Sequence, residues 1–153
     1  MGITSRSKAA FTVGTDPAFY AKMKFTITDV SDTDDCLFGF RKAEAYQANV
    51  DDYDEMAAFN VNAGAIYLST ILNGGGTTDT DTTETWADTI QHTLEVLVSK
   101  AGVVTYKLDD APPTVVAAFT FDDAEVVVPF FHFLHAAAST AGIVLDEIEV
   151  GLQ

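Results

Sequence analysis

Apolar and polar residues alternate with a period of two along much of the chain. In "FYAKMKFTITDV", Phe19, Ala21, Met23, Phe25 and Ile27 fall on one side, and Tyr20, Lys22, Lys24, Thr26 and Thr28 on the other. Successive strand side chains point to opposite faces, so this pattern predicts a long strand with one packed and one solvated face. "HTLEVLVSKAGVVTYKLDDAPP" repeats the alternation twice, through Leu94, Val96 and Val98 and then Val104, Tyr106 and Leu108. The turn-prone Ser99-Lys100-Ala101-Gly102 lies between the two runs, which predicts a β-hairpin. "MAAFNV" and "AIYLSTIL", around Asn62-Ala63-Gly64, predict another.

The remaining segments extend the same theme. "SDTDD" reads as a turn before a strand at "CLFGF". "TVVAAFTF" and "EVVVPFFHFLHA" read as two further strands, with Pro129 marking a bulge or an edge position. "IVLDEIEVGLQ" places Val144, Ile148, Val150 and Leu152 on a common face. Asp146 interrupts that face, so a bulge or a slipped register is expected there. "RKAEAYQANVDDYDE" is polar and irregular, with a short helical turn expected over 43–47. "NGGGTTDTDTTET" has no apolar anchor and reads as a flexible loop. No amphipathic helix of ten residues is evident, and "HFLHAAASTAG" is the one short rival to a strand. Many strands with closely spaced turns predict an all-β antiparallel β-sandwich of jelly-roll type, spanning 10–153 behind an extended N-terminal arm at 1–9.

Composition narrows the partners. The chain has 153 residues, 48% hydrophobic and 20% charged, which suits one globular domain with a core. Its net charge is −15, unevenly spread. Residues 1–42 hold six bases against five acids, whereas 43–153 hold only Lys100 and Lys107 against eighteen acids. Such a surface repels phosphate, so neither nucleic acid nor an anionic membrane is an expected partner. No apolar run reaches the length of a membrane span, and no signal peptide is expected at the start. Cys36 is the single cysteine, which excludes an intrachain disulfide and a cysteine metal cluster and suits a buried thiol.

Trp86, His92, Gly102 and Asp109-Asp110, in an order of hairpin, Phe-rich strand and terminal "LDEIEV" strand, resemble the concanavalin A-like lectin and glucanase sandwiches, laminin G-like domains among them. Asp110 stands where that superfamily has Gly. The stretch "DPAFYAKMKFTITDVSDTDDCLFGFRKAEAYQANVDDYDEMAAFNV" also resembles virion proteins of tailed bacteriophages. That second resemblance implies a non-enzymatic decoration or cement protein on the outer surface of the phage head. Its partner would be the major capsid protein, with self-association, a trimer suiting three-fold positions. The acidic body would then face the medium, and the basic arm with Arg6 and Lys8 would contact the capsid. The alternative is a carbohydrate-binding lectin-like module using the loop with Asn73 and the adjoining Trp86, because an exposed Trp stacks on sugar rings. The other reading of Trp86 is a plug for the end of the sandwich.

Candidate chemistry is sparse. The Glu-x-Asp-x-x-Glu pattern of retaining glucanases is reproduced neither by "DDYDEM", with Asp52 and Asp54, nor by "LDEIEV", with Glu147 and Glu149. No catalytic residue and no cofactor are therefore expected. Calcium is the best cation candidate, with Asp32 and Asp34 in one Asp-rich stretch and Asp79 and Asp81 in another. Asp in turns more often bonds its own backbone. His132 and His135 lie three apart, which on a strand sends the rings to opposite faces rather than to one metal.

Overall fold

The alternating segments pair into two antiparallel sheets packed face to face. The computed structural model describes residues 10–135 and 141–153. In chain order the strands are β1 (Phe11–Thr12), β2 (Phe19–Ile27), β3 (Thr33–Lys42), β4 (Met56–Asn62), β5 (Ala65–Ile71), β6 (Thr78–Thr85), β7 (Gln91–Val98), β8 (Val104–Leu108), β9 (Val126–His135) and β10 (Ile143–Leu152). One sheet has six strands in the order β1-β9-β3-β4-β5-β6, and the other has four in the order β10-β2-β7-β8. The all-β sandwich expected from the pattern is thus the observed architecture. The segment 1–9, with Arg6 and Lys8, lies outside the described residues.

The inward side chains are those the period-two pattern selects. Phe19, Ala21, Met23, Phe25 and Ile27 from β2 meet Cys36, Phe38 and Phe40 from β3. Phe11 stacks on Phe19 at 4.3 Å between ring centroids, and Phe40 meets Phe19 edge-on at 5.1 Å. Cys36 is buried and unoxidised, and burial pushes its thiol up to about 12. Burying this apolar surface is the main force holding the sheets together.

Turn chemistry fixes register. Ala63 and Gly64 both take positive φ (46° and 84°), the conformation a two-residue hairpin loop needs, and Asn62 then pairs with Ala65. Asp109 and Asp110 also take positive φ, and Leu108 and Ala111 exchange hydrogen bonds across them. In β10 a bulge between Leu145 and Glu147 interrupts pairing with β2, as Asp146 led one to expect. The bulge puts Leu145 rather than Asp146 opposite the buried Phe25, and Ile143 rather than Val144 opposite Ile27. The Tyr20 hydroxyl then donates to Glu149 across the two strands, and that bond holds the phenol at about 12.

Pro129 sits at an edge. Only Val126 and Val127 of β9 pair with β1. The Val126 carbonyl accepts from Ala43 on the β3 side at 2.8 Å. Odd-numbered positions of β9 therefore turn their main-chain groups the other way, and Pro129 lacks only an N–H that would face the open edge.

Three expectations are corrected. The Asn73–Thr85 stretch is not one loop: from Thr78 it forms β6 along β5. Thr is β-branched and suits a strand without being apolar, and Thr82 is buried with its hydroxyl donating to the Ile66 carbonyl at 2.7 Å. The 114–121 stretch is not a strand. It crosses the open side of the sandwich between β6 and β8, touching the ladder only where Thr120 bridges Val103. Its apolar residues cap the core instead, with Phe121 buried and Phe119 packed edge-on to it. Glu84 accepts from the Thr114 N–H and hydroxyl, both at 3.0 Å, and ties this strap to β6. Residues 43–47 form no helical turn; a single 3-10 turn lies later, at Val50–Asp52.

Candidate functional site

The outer face of the six-stranded sheet carries the most developed polar constellation. Because Cys36, Phe38 and Phe40 face the core, Asp35, Leu37 and Arg41 face outward. The 43–55 segment folds over part of that face. Val50 and Tyr53 bury themselves on Leu37, Met56, Ala58 and Ile71, and the Arg41 guanidinium lies 4.7 Å over the Tyr53 ring. Beside this patch the sheet stays open and forms a basin of about 210 Å³ lined by Asp35, Asn49, Asp51, Asn60, Thr77 and Asp79, with Leu37 and Val50 beneath.

Asn60 organises the basin. It is only 5% exposed, at the end of the apolar run of β4. Its Oδ1 accepts from the Cys36 N–H at 3.1 Å, and its Nδ2 donates to Asp35 Oδ1 at 2.8 Å. Burial pushes the Asp35 carboxyl up, and the hydrogen bond from Asn60 pulls it part of the way back. Across the basin the buried Ser69 hydroxyl donates to Asp79, and the Thr77 hydroxyl donates to Asp51. Asn49 accepts from Asp51 N–H at 3.3 Å and so caps the 3-10 turn that forms one wall. Register places His132, Leu37, Asn60, Tyr67 and Asp81 in one row across β9, β3, β4, β5 and β6. The result is a shallow concavity with fixed carboxylate and amide groups over a small apolar floor. It suits a ligand carrying many hydroxyls.

The residues singled out in the sequence fare differently. Trp86 is 2% exposed, packed on Phe25 at 4.7 Å and His92 at 4.6 Å, and its Nε1 donates to the Ile90 carbonyl at 2.9 Å. No ring face is open to a sugar, so the stacking role is corrected to that of an end plug. Asn73 and Trp86 also fall at opposite ends of the β5–β6 hairpin, separated by the whole of β6, about 25 Å at strand rise. They do not share a site.

Asp79 and Asp81 lie on β6, where Asp79 joins the basin and Asp81 accepts from Thr83 N–H at 2.8 Å. Asp32 belongs to a 3-10 turn (Val30–Asp32), and the Asp34 carbonyl accepts from the Asn62 side chain. Among the described residues no three carboxylate, imidazole or thiol groups come together as metal ligands. His132 faces outward, while His135 pairs with Thr33 and packs edge-on to Phe133 at 4.5 Å.

The remaining candidate acids form no second constellation among the described residues. Asp54 holds Lys42 at 2.7 Å, Glu149 holds Tyr20, and Glu147 stands opposite Lys24. Asp52 is exposed on its turn. The basin itself was missed, although a lone Asn in the apolar run "MAAFNV" and an Asp just before the buried Cys36 were its signals.

No protein-family model matches the chain, and no curated protein matches it in sequence. Solved structures do match in shape. An alginate lyase from Pseudomonas aeruginosa superposes with a TM-score of 0.60 at 10% identity, over 93% of this chain and 68% of that one. The carbohydrate recognition domain of Emp47p gives 0.59 at 14% identity, over 94% and 74%. Sheep galectin-11, in complex with glycerol, gives 0.50 at 13% identity, over 92% and 95%. The chain spans 64% and 62% of two further alginate lyases, from Zobellia galactanivorans and a Corynebacterium species. At such identities these likenesses establish the lectin and lyase type of sandwich fold, which hosts both binding and catalysis.

Proposed function

We propose that the chain is a non-catalytic carbohydrate-binding module that takes a neutral glycan in the basin around Asn60. The observation that carries this reading is the fixed set of Asp35, Asn60 and Asp79 at one concavity on the outer sheet face. Sugar hydroxyls both donate and accept, and the carboxylates of the basin supply acceptors for them. Three carboxylates, Asp35, Asp51 and Asp79, line the basin, and among the described residues no cation lines it with them. That charge disfavours a polyuronate such as the substrate named for the alginate lyases. A glycan array followed by calorimetry tests the reading. Asp79→Ala and Asp35→Asn should each weaken the bound glycan about tenfold with no release of reducing ends. An array on which the native chain binds nothing, or binding indifferent to both substitutions, overturns it.

A second reading rests on charge: a decoration protein on the outside of a phage head, bound to the major capsid protein. The acidic body, with eighteen acids and two bases beyond residue 42, favours a surface turned away from packaged DNA. Self-association, which that role would use, is supported by exposed apolar side chains on β9 and β10, among them Phe131, Leu134, Leu145 and Ile148. Deleting 1–9, and with it Arg6 and Lys8, should release the chain from particles; undiminished retention removes the arm from this reading.

A further inference from the structure

We propose that the outer edge of β8 is a slot for an extended peptide, three or four residues long, with small aliphatic side chains. The slot lies on the four-stranded sheet, so it is independent of the glycan basin. A cavity of about 430 Å³ separates β8 from the strap that covers this side of the sandwich. It is lined by Val104, Tyr106 and Lys107 on one wall and Pro112, Val116 and Ala118 on the other. Its size and apolar walls are those of a ligand site.

The main chain says what kind of ligand fits. Asp109 N–H points to β7, bonding the Thr93 carbonyl at 2.9 Å, and Val104 N–H points away, bonding the Phe119 carbonyl at 3.0 Å. Alternation along an antiparallel strand then turns the N–H and C=O of Tyr106, and the C=O of Val104, away from β7 toward the slot. No described residue partners these three groups. The slot is closed at both ends, by the Val104–Phe119 bond and by the paired bonds of Leu108 with Ala111. Three β8 residues lie between those ends, and Val104 to Leu108 spans about 13 Å of strand, which three or four peptide residues match. The Tyr106 ring is 3% exposed and packs edge-on to Phe59, so the strand that carries these main-chain groups is anchored in the core. Unmet donors and acceptors of this kind call for a ligand that supplies both, in alternation. A peptide added to a sheet edge does so, whereas a simple amphiphile offers acceptors alone. The small Ala118 and the half-open Val116 leave room for methyl-sized side chains on the far wall.

Isotope-labelled full chain titrated with acetyl-Val-Ala-Val-Ala-amide tests this by NMR. The Tyr106 amide should shift most, with saturation in the millimolar range or below. Two singly N-methylated isomers of the peptide set the register. The one blocked at the amide facing β8 should bind about tenfold more weakly, and the one blocked at the next amide should bind as the parent does. Ala118→Trp, which fills the slot from an exposed position, should abolish the shifts. The proposal is overturned if the peptide leaves Tyr106 unmoved to millimolar concentration, or if both N-methylated isomers bind alike. It is also overturned if octanoate shifts these amides while the peptide does not.

Discussion

Glu55 should make this protein lose stability as neutral pH is approached, and Glu55→Gln should remove that loss. The side chain is 1% exposed at the end of the segment that folds over the outer sheet face. Its carboxylate accepts from the Asp122 N–H at 3.3 Å, and Asp122 and Glu125 stand close by. Burial, with those two negative neighbours, pushes Glu55 from 4.5 up to about 7. An acid whose folded value exceeds its unfolded one costs the fold nothing below the unfolded value. The cost grows as pH rises from about 4.5 to 7 and is constant above. A difference of that size corresponds to about 3 kcal/mol at full ionisation. Gln keeps the acceptor for Asp122 N–H and gives the neighbouring carboxylates an N–H donor. Urea unfolding of both proteins from pH 4 to pH 8 is the assay. The two should coincide near pH 4, and by pH 8 the variant should be more stable by about 2–3 kcal/mol with an unchanged m value. A stability difference that does not vary with pH, or a variant less stable at pH 8, would refute the reasoning.

Asp110 holds φ at 68° in the two-residue turn after β8. Asp110→Gly should relieve that strain and raise stability by about 1 kcal/mol in thermal unfolding, and a lower melting temperature would count against it. Gly39 has no room for a methyl: an added Cβ would lie 2.3 Å from the Ala57 carbonyl oxygen and 2.6 Å from Ala58 Cα. Gly39→Ala should therefore cost about 3 kcal/mol or more, read by denaturant titration, because β3 and β4 must part to accept it. Cys36, buried with its thiol pushed up to about 12, should resist a thiol reagent at pH 8 in the native protein and react fully once unfolded; rapid native labelling would contradict its burial.

The strands that face water on one side were readable because burial alternates as the side chains do. The Phe19–Ile27 strand and the Gln91–Leu108 hairpin are of this kind, and the pattern even located the β10 bulge at Asp146. Reading failed where an apolar run serves something other than a ladder. Val115 to Phe121 is apolar because Phe119 and Phe121 lid the core, not because the run pairs. It failed again at β6, whose Thr-rich edge takes its order from pairing with β5 rather than from burial. The basin was illegible for a different reason. Asp35 and Asn60 are 25 residues apart, and only the β3–β4 register, with Cys36 opposite Val61, brings them within hydrogen-bond distance. Trp86 misled because an aromatic beside a polar stretch looks available, while its burial against Phe25 and His92 is a property of the packed end.

The strand order has a consequence for synthesis and folding. The central strand β2 takes one neighbour, β7, from the middle of the chain and the other, β10, from its last described residues. Likewise β3 waits for β9, about ninety residues later. Each sheet therefore keeps an unsatisfied edge on an interior strand until the last two strands are made. Contacts so distant in sequence demand costly loop closure before they reward it, which slows folding. A nascent chain halted before residue 126 would expose β2 and β3, both rich in Phe, to whatever strand it met first. Codons that slow elongation just before residue 126 should thus raise the aggregated fraction of this protein more than slow codons just before residue 19.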